Sequence, residues 1–277
     1  MANVGPELLG RKPSPPDLRD YRLSNFLDIR VATEVPATLS DADLAAYAIS
    51  ELQKTTITYR QWAARHYEDV MITHWWKAFN ALHQIVGDPP TPVPTTDKTW
   101  DTSAFQLDQG QTGHCVGFGW ADWSDSEPVL NTYVNSDGHA IYYECKVIEG
   151  DPGGEDGAYP RDGAKAMKNR GRLSVYAFAD TMSDILAHLR QNGPLVIGTD
   201  WTDDMFDPDS NGYIKPTGSV AGGHCYLLYG ITGDSLVFKN SWGDSWGLSG
   251  SFKMKVPDFQ VLMDAYGEAI ASIELPL

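Results

Sequence analysis

The sequence is poor in cysteine, and it has no long apolar run. Its three cysteines are odd in number and widely separated, which argues against the disulfide framework of a small secreted protein. No stretch of about 18 apolar residues occurs, so we expect no membrane-spanning helix. The amino terminus lacks both a basic region and a long apolar core, so no signal peptide is expected. These absences favour a cytoplasmic protein.

Positive charge is also scarce. The chain has 21 lysines and arginines against 37 aspartates and glutamates, a formal net charge of −16. Such a surface repels nucleic acids and anionic membranes, so neither is expected as a partner. Basic substrates and simple solubility remain as explanations of the charge, and solubility is the simpler. With 277 residues, 42% of them hydrophobic, the chain can form one large or two modest cores.

Proline and helical periodicity divide the chain into three parts. Residues 1–37 are polar and interrupted by prolines, which predicts an extended arm. Residues 38–95 carry apolar periods that predict helices near 41–53 and 71–86, and they end in a stiff proline-rich linker. Residues 96–277, whose second half contains short strand patterns, are predicted to form the main domain.

A glycine-rich stretch brings a cysteine to the start of a predicted helix. It runs from Leu107 to Phe118, and Gly110 and Gly113 permit tight turns ahead of Cys115. Unpaired N–H groups and aligned peptide dipoles at a helix N-terminus lower the pKa of a thiol. We therefore expect Cys115 to be a nucleophile with a lowered pKa.

Two later stretches supply the groups that a thiol nucleophile needs. His224 follows two glycines, and Asn240 begins the run Asn-Ser-Trp-Gly-Asp-Ser-Trp-Gly. A Cys–His pair needs a third group that orients the imidazole, and Asn240 can be that group. The rival interpretation is a zinc site made of two His-Cys pairs. It is disfavoured because successive side chains of a strand point to opposite faces. No metal and no cofactor is expected.

These motifs, in this order, resemble those of the papain-like cysteine peptidases. The family pattern Gln-Gly-x-Cys-Gly-x-Cys is followed from Gln109 to Cys115, with Thr112 in place of a disulfide cysteine. The pattern Asn-Ser-Trp-Gly-x-x-Trp-Gly is complete from Asn240 to Gly247. The resemblance implies an α+β papain-like fold with two lobes, one helical and one antiparallel and β-barrel-like. The predicted helical segment would be an N-terminal extension of this catalytic domain.

The resemblance also implies a role for each residue of the site. Cys115 would be the nucleophile and His224 the general base and later the acid, oriented by Asn240. Gln109 would form the oxyanion hole together with a backbone N–H group. Trp242 would shield the His–Asn hydrogen bond from water. A looser match assigns substrate binding to Gly153, Gly154 and Gly223.

The reaction expected from this site is hydrolysis of peptide bonds, in protein or peptide substrates, through a thioester. One alternative is a cell-wall peptide amidase or endopeptidase of the same chemistry. Another is a non-catalytic module of a virion, because His114 and Val116 depart from the family's usual neighbours of the nucleophile. The overall appearance resembles phage-encoded proteins, which would make the protein virion-associated. Residues 1–95 are either an inhibitory prosegment or a permanent accessory whose residues 38–88 bind a protein partner.

Overall fold

The computed structural model describes residues 4–15, 96–128 and 130–274. These residues belong to one compact unit of the chain. Residues 38–95 lie outside the described part, and with them the two predicted N-terminal helices, the proline-rich linker and the proposed partner-binding segment. The boundaries predicted for the arm and the helical extension therefore stay predictions.

Five α-helices occur among the described residues. They are α1 (Cys115–Ser124), α2 (Asn135–Glu149), α3 (Pro160–Asn169), α4 (Met182–Gln191) and α5 (Val256–Asp264), with short 3₁₀ turns at Pro6–Leu8 and Asp203–Phe206. The first three helices pack on one another, whereas α4 and α5 contact the sheet. No helix in the described ranges is long and apolar enough to cross a membrane.

Seven strands form a single antiparallel sheet. They are β1 (Lys98–Thr99), β2 (Leu173–Phe178), β3 (Leu195–Thr202), β4 (Val220–Thr232), β5 (Ser235–Lys239), β6 (Ser251–Lys255) and β7 (Glu268–Glu274). The strand order is β2-β7-β3-β4-β5-β6, and β1 pairs with β4. The α+β prediction is confirmed, with one correction. The sheet is open rather than barrel-like, because its two end strands do not pair with each other among the described residues.

The helix that carries the cysteine lies between α2 and the long strand β4. A Cβ at Gly117 would lie 2.2 Å from the carbonyl oxygen of Gly138 in α2, and one at Gly119 would lie 2.9 Å from Sγ of Cys225 in β4. Side chains at these two positions would push both neighbours away. The two glycines therefore let α1 sit deep in the core, with its N-terminus beside the strand that carries His224.

Strand pairing brings the histidine and the asparagine together. His224 lies in β4, and Asn240 directly follows the last residue of β5. Because β4 and β5 are antiparallel neighbours, with Leu227 opposite Lys239, the two polar residues lie at the same edge of the ladder. Cys225 lies in the core cluster, as expected for the residue after a site residue in a strand.

Candidate active site

His224 and Asn240 form a direct hydrogen bond. Nε2 of His224 lies 2.8 Å from Oδ1 of Asn240, and this oxygen also accepts the backbone N–H of Ser241 at 2.9 Å. Since Oδ1 can only accept, Nε2 carries the proton and Nδ1 of the neutral ring keeps its lone pair. Nδ1 is buried and has no hydrogen-bond partner among the described residues. The ring thus has the tautomer that a general base needs.

Aromatic rings enclose this pair. The ring centre of Trp242 lies 4.7 Å from that of His224, and Trp201 meets the imidazole edge-on at 4.9 Å. Phe206 stacks on Trp242 at 5.7 Å, and His224 and Asn240 are both fully buried. A hydrogen bond kept from water in this way is electrostatically stronger. Trp242 lies where the resemblance implied, whereas Trp201 was not anticipated because it belongs to none of the motifs.

Gln109 is oriented by Ser241. Its Oε1 accepts the hydroxyl of Ser241 at 2.8 Å, and its backbone N–H donates to the carbonyl of the same residue at 2.9 Å. The amide nitrogen Nε2 then points the other way and donates to the carbonyl oxygens of Leu8, at 3.0 Å, and Thr112, at 2.5 Å. A side-chain donor fixed in this manner is suited to stabilise an oxyanion.

The thiol of Cys115 is fully buried at the N-terminus of α1. Burial raises the pKa of Cys115 to about 11, although backbone hydrogen bonds from Gly10 and Cys225 act to lower it. Burial likewise lowers the pKa of His224 to about 4. The lowered thiol pKa expected from the sequence is therefore wrong for this arrangement, because desolvation outweighs the N–H groups of the helix. Near pH 7 both groups are neutral.

The thiol is covered by residues 8–12, which belong to the predicted N-terminal arm. The carbonyl of Gly10 accepts the N–H of Ala158 at 2.8 Å, and the N–H of Lys12 donates to the carbonyl of Ala158 at 2.8 Å. On the other side of the cleft, the N–H of Arg11 donates to the carbonyl of Gly223 at 2.9 Å. The segment is thus held by backbone hydrogen bonds at both edges of the cleft.

This segment closes the cleft without lying there as a substrate would. Gln109 binds the carbonyl of Leu8, whereas the group that contacts the Cys115 thiol is the N–H of Gly10. A thiolate attacks the carbon of the same carbonyl whose oxygen lies in the oxyanion hole. Here the two contacts are two residues apart. The backbone of Gly10 lies very close to that of Gly113. A Cβ added at Gly10 would lie 1.7 Å from the carbonyl oxygen of Gly113.

The substrate-binding glycines predicted from the sequence are only partly placed in the cleft. Gly153 lies in a turn with a φ of 90°, where an added Cβ would meet nothing within 4 Å, and the carbonyl of Gly154 accepts the hydroxyl of Tyr142 at 3.0 Å. The backbone pairing is made at Ala158 instead, and Gly223 contributes its carbonyl. Substrate binding by Gly153, Gly154 and Gly223 stays a prediction.

The residue before the nucleophile contacts α2 and the loop that follows α2. The ring nitrogens of His114 lie 2.8 Å from Nδ1 of His139 and 2.7 Å from Oε2 of Glu155, and the ring stacks on Tyr142 at 3.7 Å. Its two nitrogens are therefore engaged away from the thiol. Val116, the other departure from the family pattern, is fully buried in the core.

Solved structures of cysteine proteases share this fold. Xylellain, a cysteine protease from Xylella fastidiosa, aligns over 99% of this chain and 99% of its own, with a TM-score of 0.59 and 17% identity. Procathepsin B S9 from Trypanosoma congolense aligns over 98% of this chain and 88% of its own, with a TM-score of 0.55 and 12% identity. At such low identity, these likenesses establish the fold alone.

Sequence comparison adds the family. The model described as "Papain family cysteine protease" matches residues 132–265, a range that contains His224 and Asn240 and begins after Cys115. The matched range is 134 of the 277 residues, just under half of the chain. A gut-specific cysteine proteinase of Caenorhabditis elegans is 32% identical to this chain over 92 residues. That match covers 32% of this chain and 28% of the relative, so less than a third of the relative's length is spanned.

Proposed function

We propose that the protein is a cysteine-type peptidase that hydrolyses peptide bonds through Cys115, His224 and Asn240. One observation carries the proposal. His224 is fixed by Asn240 with an unpartnered Nδ1, and the backbone of the next residue, Cys225, hydrogen-bonds the Cys115 thiol. A nucleophile, a base in the correct tautomer and the group that orients the base therefore meet at one end of α1 and β4.

The reaction follows from these groups once the cleft is open. The thiol proton passes to Nδ1 of His224, and the Cys115 sulfur bonds to the carbonyl carbon of the substrate. Nε2 of Gln109 and the backbone N–H of Cys115 hold the oxyanion. His224 then returns the proton to the leaving amine, and a thioester remains. Water, deprotonated by His224, attacks the thioester and releases the acid and the thiol.

In the arrangement described here the enzyme is latent. Residues 8–12 cover the thiol, and burial keeps both Cys115 and His224 neutral. Of the two roles considered for residues 1–95, these contacts support the inhibitory one for residues 8–12. Partner binding by residues 38–88 stays a prediction.

Labelling with a thiol-directed epoxide tests the proposal. We expect slow labelling of the full-length protein at Cys115, faster labelling after limited proteolysis of the arm, and none in Cys115→Ala. His224→Ala should reduce the labelling rate, because the base is lost. Absence of labelling both before and after proteolysis would contradict the proposal and favour a non-catalytic module. Labelled protein that cleaves cell-wall peptides but no protein or unrelated peptide would favour the amidase alternative.

A further inference from the structure

The residue directly before the nucleophile supports one rim of the cleft. That rim is the stretch 154–158, which we call the rim loop. Nε2 of His114 lies 2.7 Å from Oε2 of Glu155 in this loop, and the imidazole stacks on Tyr142 in α2 at 3.7 Å. His114 is only 2% exposed, so its ring is packed in the interior. It thus connects the N-terminus of α1 to the rim loop.

Tyr142 extends this support along the loop. Its hydroxyl donates to the carbonyl of Gly154 at 3.0 Å and accepts the N–H of Gly157 at 3.2 Å. The stacked rings of His114 and Tyr142 therefore hold both the side chain of Glu155 and the backbone on either side of it. Movement of either ring would shift the loop.

The end of the rim loop is where the bound segment is paired. The N–H of Ala158 donates to the carbonyl of Gly10 at 2.8 Å, and the carbonyl of Ala158 accepts the N–H of Lys12 at 2.8 Å. These contacts are made by backbone groups, so they do not depend on the side chains of the paired peptide. The position of Ala158 relative to Cys115 then decides how well a peptide carbonyl reaches the thiol.

The imidazole of His114 meets a second imidazole at its other nitrogen. Nδ1 of His114 lies 2.8 Å from Nδ1 of His139 in α2. The hydrogen bond from His114 holds the pKa of Glu155 below its usual range, so this carboxylate is ionised and can only accept. Nε2 of His114 therefore carries a proton, and one further proton lies between the two Nδ1 atoms.

Two protons cannot occupy the contact between the rings. When both rings are cations, each Nδ1 bears a hydrogen, and like charges meet across 2.8 Å. Burial, and then the charge of His114, lower the pKa of His139, although Glu155 acts to raise it. Histidines that have separated from each other are protonated with a pKa of about 6.5. Acid below this value therefore favours separation of the two rings.

The other groups that face the histidine pair do not titrate in this range. Burial raises the pKa of Tyr142 to about 12, and the charge of Glu155 raises that of Tyr143. On the side of α1, the apolar ring of Phe118 packs against His139 at 4.9 Å. The two imidazoles are therefore the groups whose charge changes between pH 7 and pH 5.

We propose that His114 is a positioning residue of the peptidase, which holds the rim loop where Ala158 pairs with a bound peptide, and that its contact with His139 releases the loop when both rings are protonated. The proposal rests on the peptidase function proposed above. The closed loop is fully stabilised above about pH 6.5. This stabilisation is lost as the pH falls, because the closed pair holds one proton fewer than the separated rings. Peptides therefore bind more weakly in mild acid.

Hydrogen exchange, followed by NMR in the full-length protein, tests the support directly. After correction for intrinsic rates, protection of the Ala158 N–H should fall about tenfold between pH 7 and pH 5, less than the roughly thirtyfold that uptake of one proton allows. His139→Gln keeps an N–H donor for His114 but cannot be protonated, so its protection should stay constant within about twofold. Tyr143→Phe, which removes an exposed contact to Glu155 at 3.2 Å, is the matched control and should behave as the wild type.

Kinetics separate positioning from a merely structural role. The full-length protein carries Gly10→Ala, which disturbs residues 8–12 at the carbonyl of Gly113. In this background His114→Ala should raise KM at least about fivefold and leave kcat within about twofold. The ratio of KM at pH 5 to KM at pH 7 should be at least about twofold smaller once His139→Gln is added.

A second variant covers a failure of His114→Ala to fold. Glu155→Ala removes the same contact from its exposed side, since the Glu155 side chain is 60% exposed. It should raise KM in the same sense and by a smaller factor, because the stacking of His114 on Tyr142 remains.

The two proposals fail separately. Protection of the Ala158 N–H that is constant in the wild type, or that falls equally in the wild type and in His139→Gln, would overturn the histidine pair as a proton-sensitive support. A lower kcat with unchanged KM in His114→Ala would place its action on the nucleophile and overturn the positioning role. If no variant hydrolyses any peptide, the peptidase function is wrong, whereas exchange at Ala158 still decides whether the pair holds the loop.

Discussion

Nε2 of Gln109 donates to the carbonyl oxygen of Leu8 across a distance of 3.0 Å. The donor placed to hold an oxyanion is thus occupied by the chain's own backbone. The same segment presents the N–H of Gly10 to the Cys115 thiol. The two groups that the proposed reaction needs first are both engaged, so the proposed activity should depend on how tightly this segment binds the cleft.

Adding a methyl group at Gly10 should open the site. The new Cβ of Gly10→Ala would lie 1.7 Å from the carbonyl oxygen of Gly113, an overlap with backbone that the segment can relieve only by moving. We expect epoxide labelling of Cys115 to accelerate at least about tenfold, since such an overlap exceeds 1.4 kcal/mol. The matched control is Gly5→Ala, whose Cβ meets only the side chain of Glu7. Equal rates in the two variants would contradict the prediction.

Opening the cleft should also change the ionisation of the thiol. Burial raises the pKa of Cys115 to about 11 and lowers that of His224 to about 4. Hydration weakens both shifts and permits a thiolate–imidazolium pair. In Gly10→Ala the pH at half-maximal alkylation by iodoacetamide should therefore fall to about 8.5 or below. When His224→Ala is added to Gly10→Ala, the pH at half-maximal alkylation should fall less than in Gly10→Ala alone, because no imidazolium is present to stabilise the thiolate. A midpoint that stays near that of the intact protein would contradict this account.

The hydroxyl of Ser241 should matter for catalysis through Gln109. In the Gly10→Ala background, Gln109→Ala should lower kcat by about 10²–10³, the usual cost of one oxyanion donor. Ser241→Ala leaves Gln109 present but removes the hydrogen bond to its Oε1, so the amide is less firmly oriented. This variant should lower kcat about five- to tenfold with little change in KM. Ser251→Ala, whose hydroxyl contacts Tyr229, is the control. Steady-state kinetics in which Ser241→Ala raises KM alone would rule out this positioning role.

Acid should loosen the binding of residues 8–12 in the cleft. Hydrogen bonds from Lys146 and then Lys12 lower the pKa of Asp156 to about 2, below its usual value of about 3.9. Because the folded-state pKa is lowered, the stabilisation is complete above about pH 4 and is lost as the pH falls towards 2. Hydrogen exchange of residues 8–12, corrected for intrinsic rates, should show protection decreasing over this window. The effect should be modest, since Asp156 is largely exposed to solvent.

A lysine variant provides the control for this acid effect. Lys12→Met should reduce the protection of residues 8–12 at pH 5 and flatten its decrease below pH 4. The strand Leu195–Thr202 should remain protected throughout, because it is central in the sheet. Parallel loss of protection in both segments would indicate global acid unfolding and contradict release of the inhibitory segment.

Local sequence signals located several elements well. The helix predicted to start at Cys115 does start there, and the short strand patterns predicted for the second half of residues 96–277 correspond to strands of the sheet. No end was predicted for this helix, which stops at Ser124. At this end of the helix, the side-chain amide and the backbone N–H of Asn131 both donate to the carbonyl of Ser124. Because this contact comes from outside the helix, the sequence pattern of the helix cannot reveal it. The strand β7 was not predicted, since its pairing partners β2 and β3 are distant in the chain.

The sequence by itself determined which chemistry to propose: the order and spacing of the motifs resemble those of the papain-like peptidases and nominate Cys115, His224, Asn240 and Gln109. Only the tertiary structure decided whether these side chains are ionised and accessible. A thiol pKa depends on burial, which is set by everything that surrounds the sulfur. The burial of Arg11 depends on its contact with Glu268, 257 residues away in the chain. Such contacts are fixed by the packing of whole elements, so a residue pattern read locally cannot contain them.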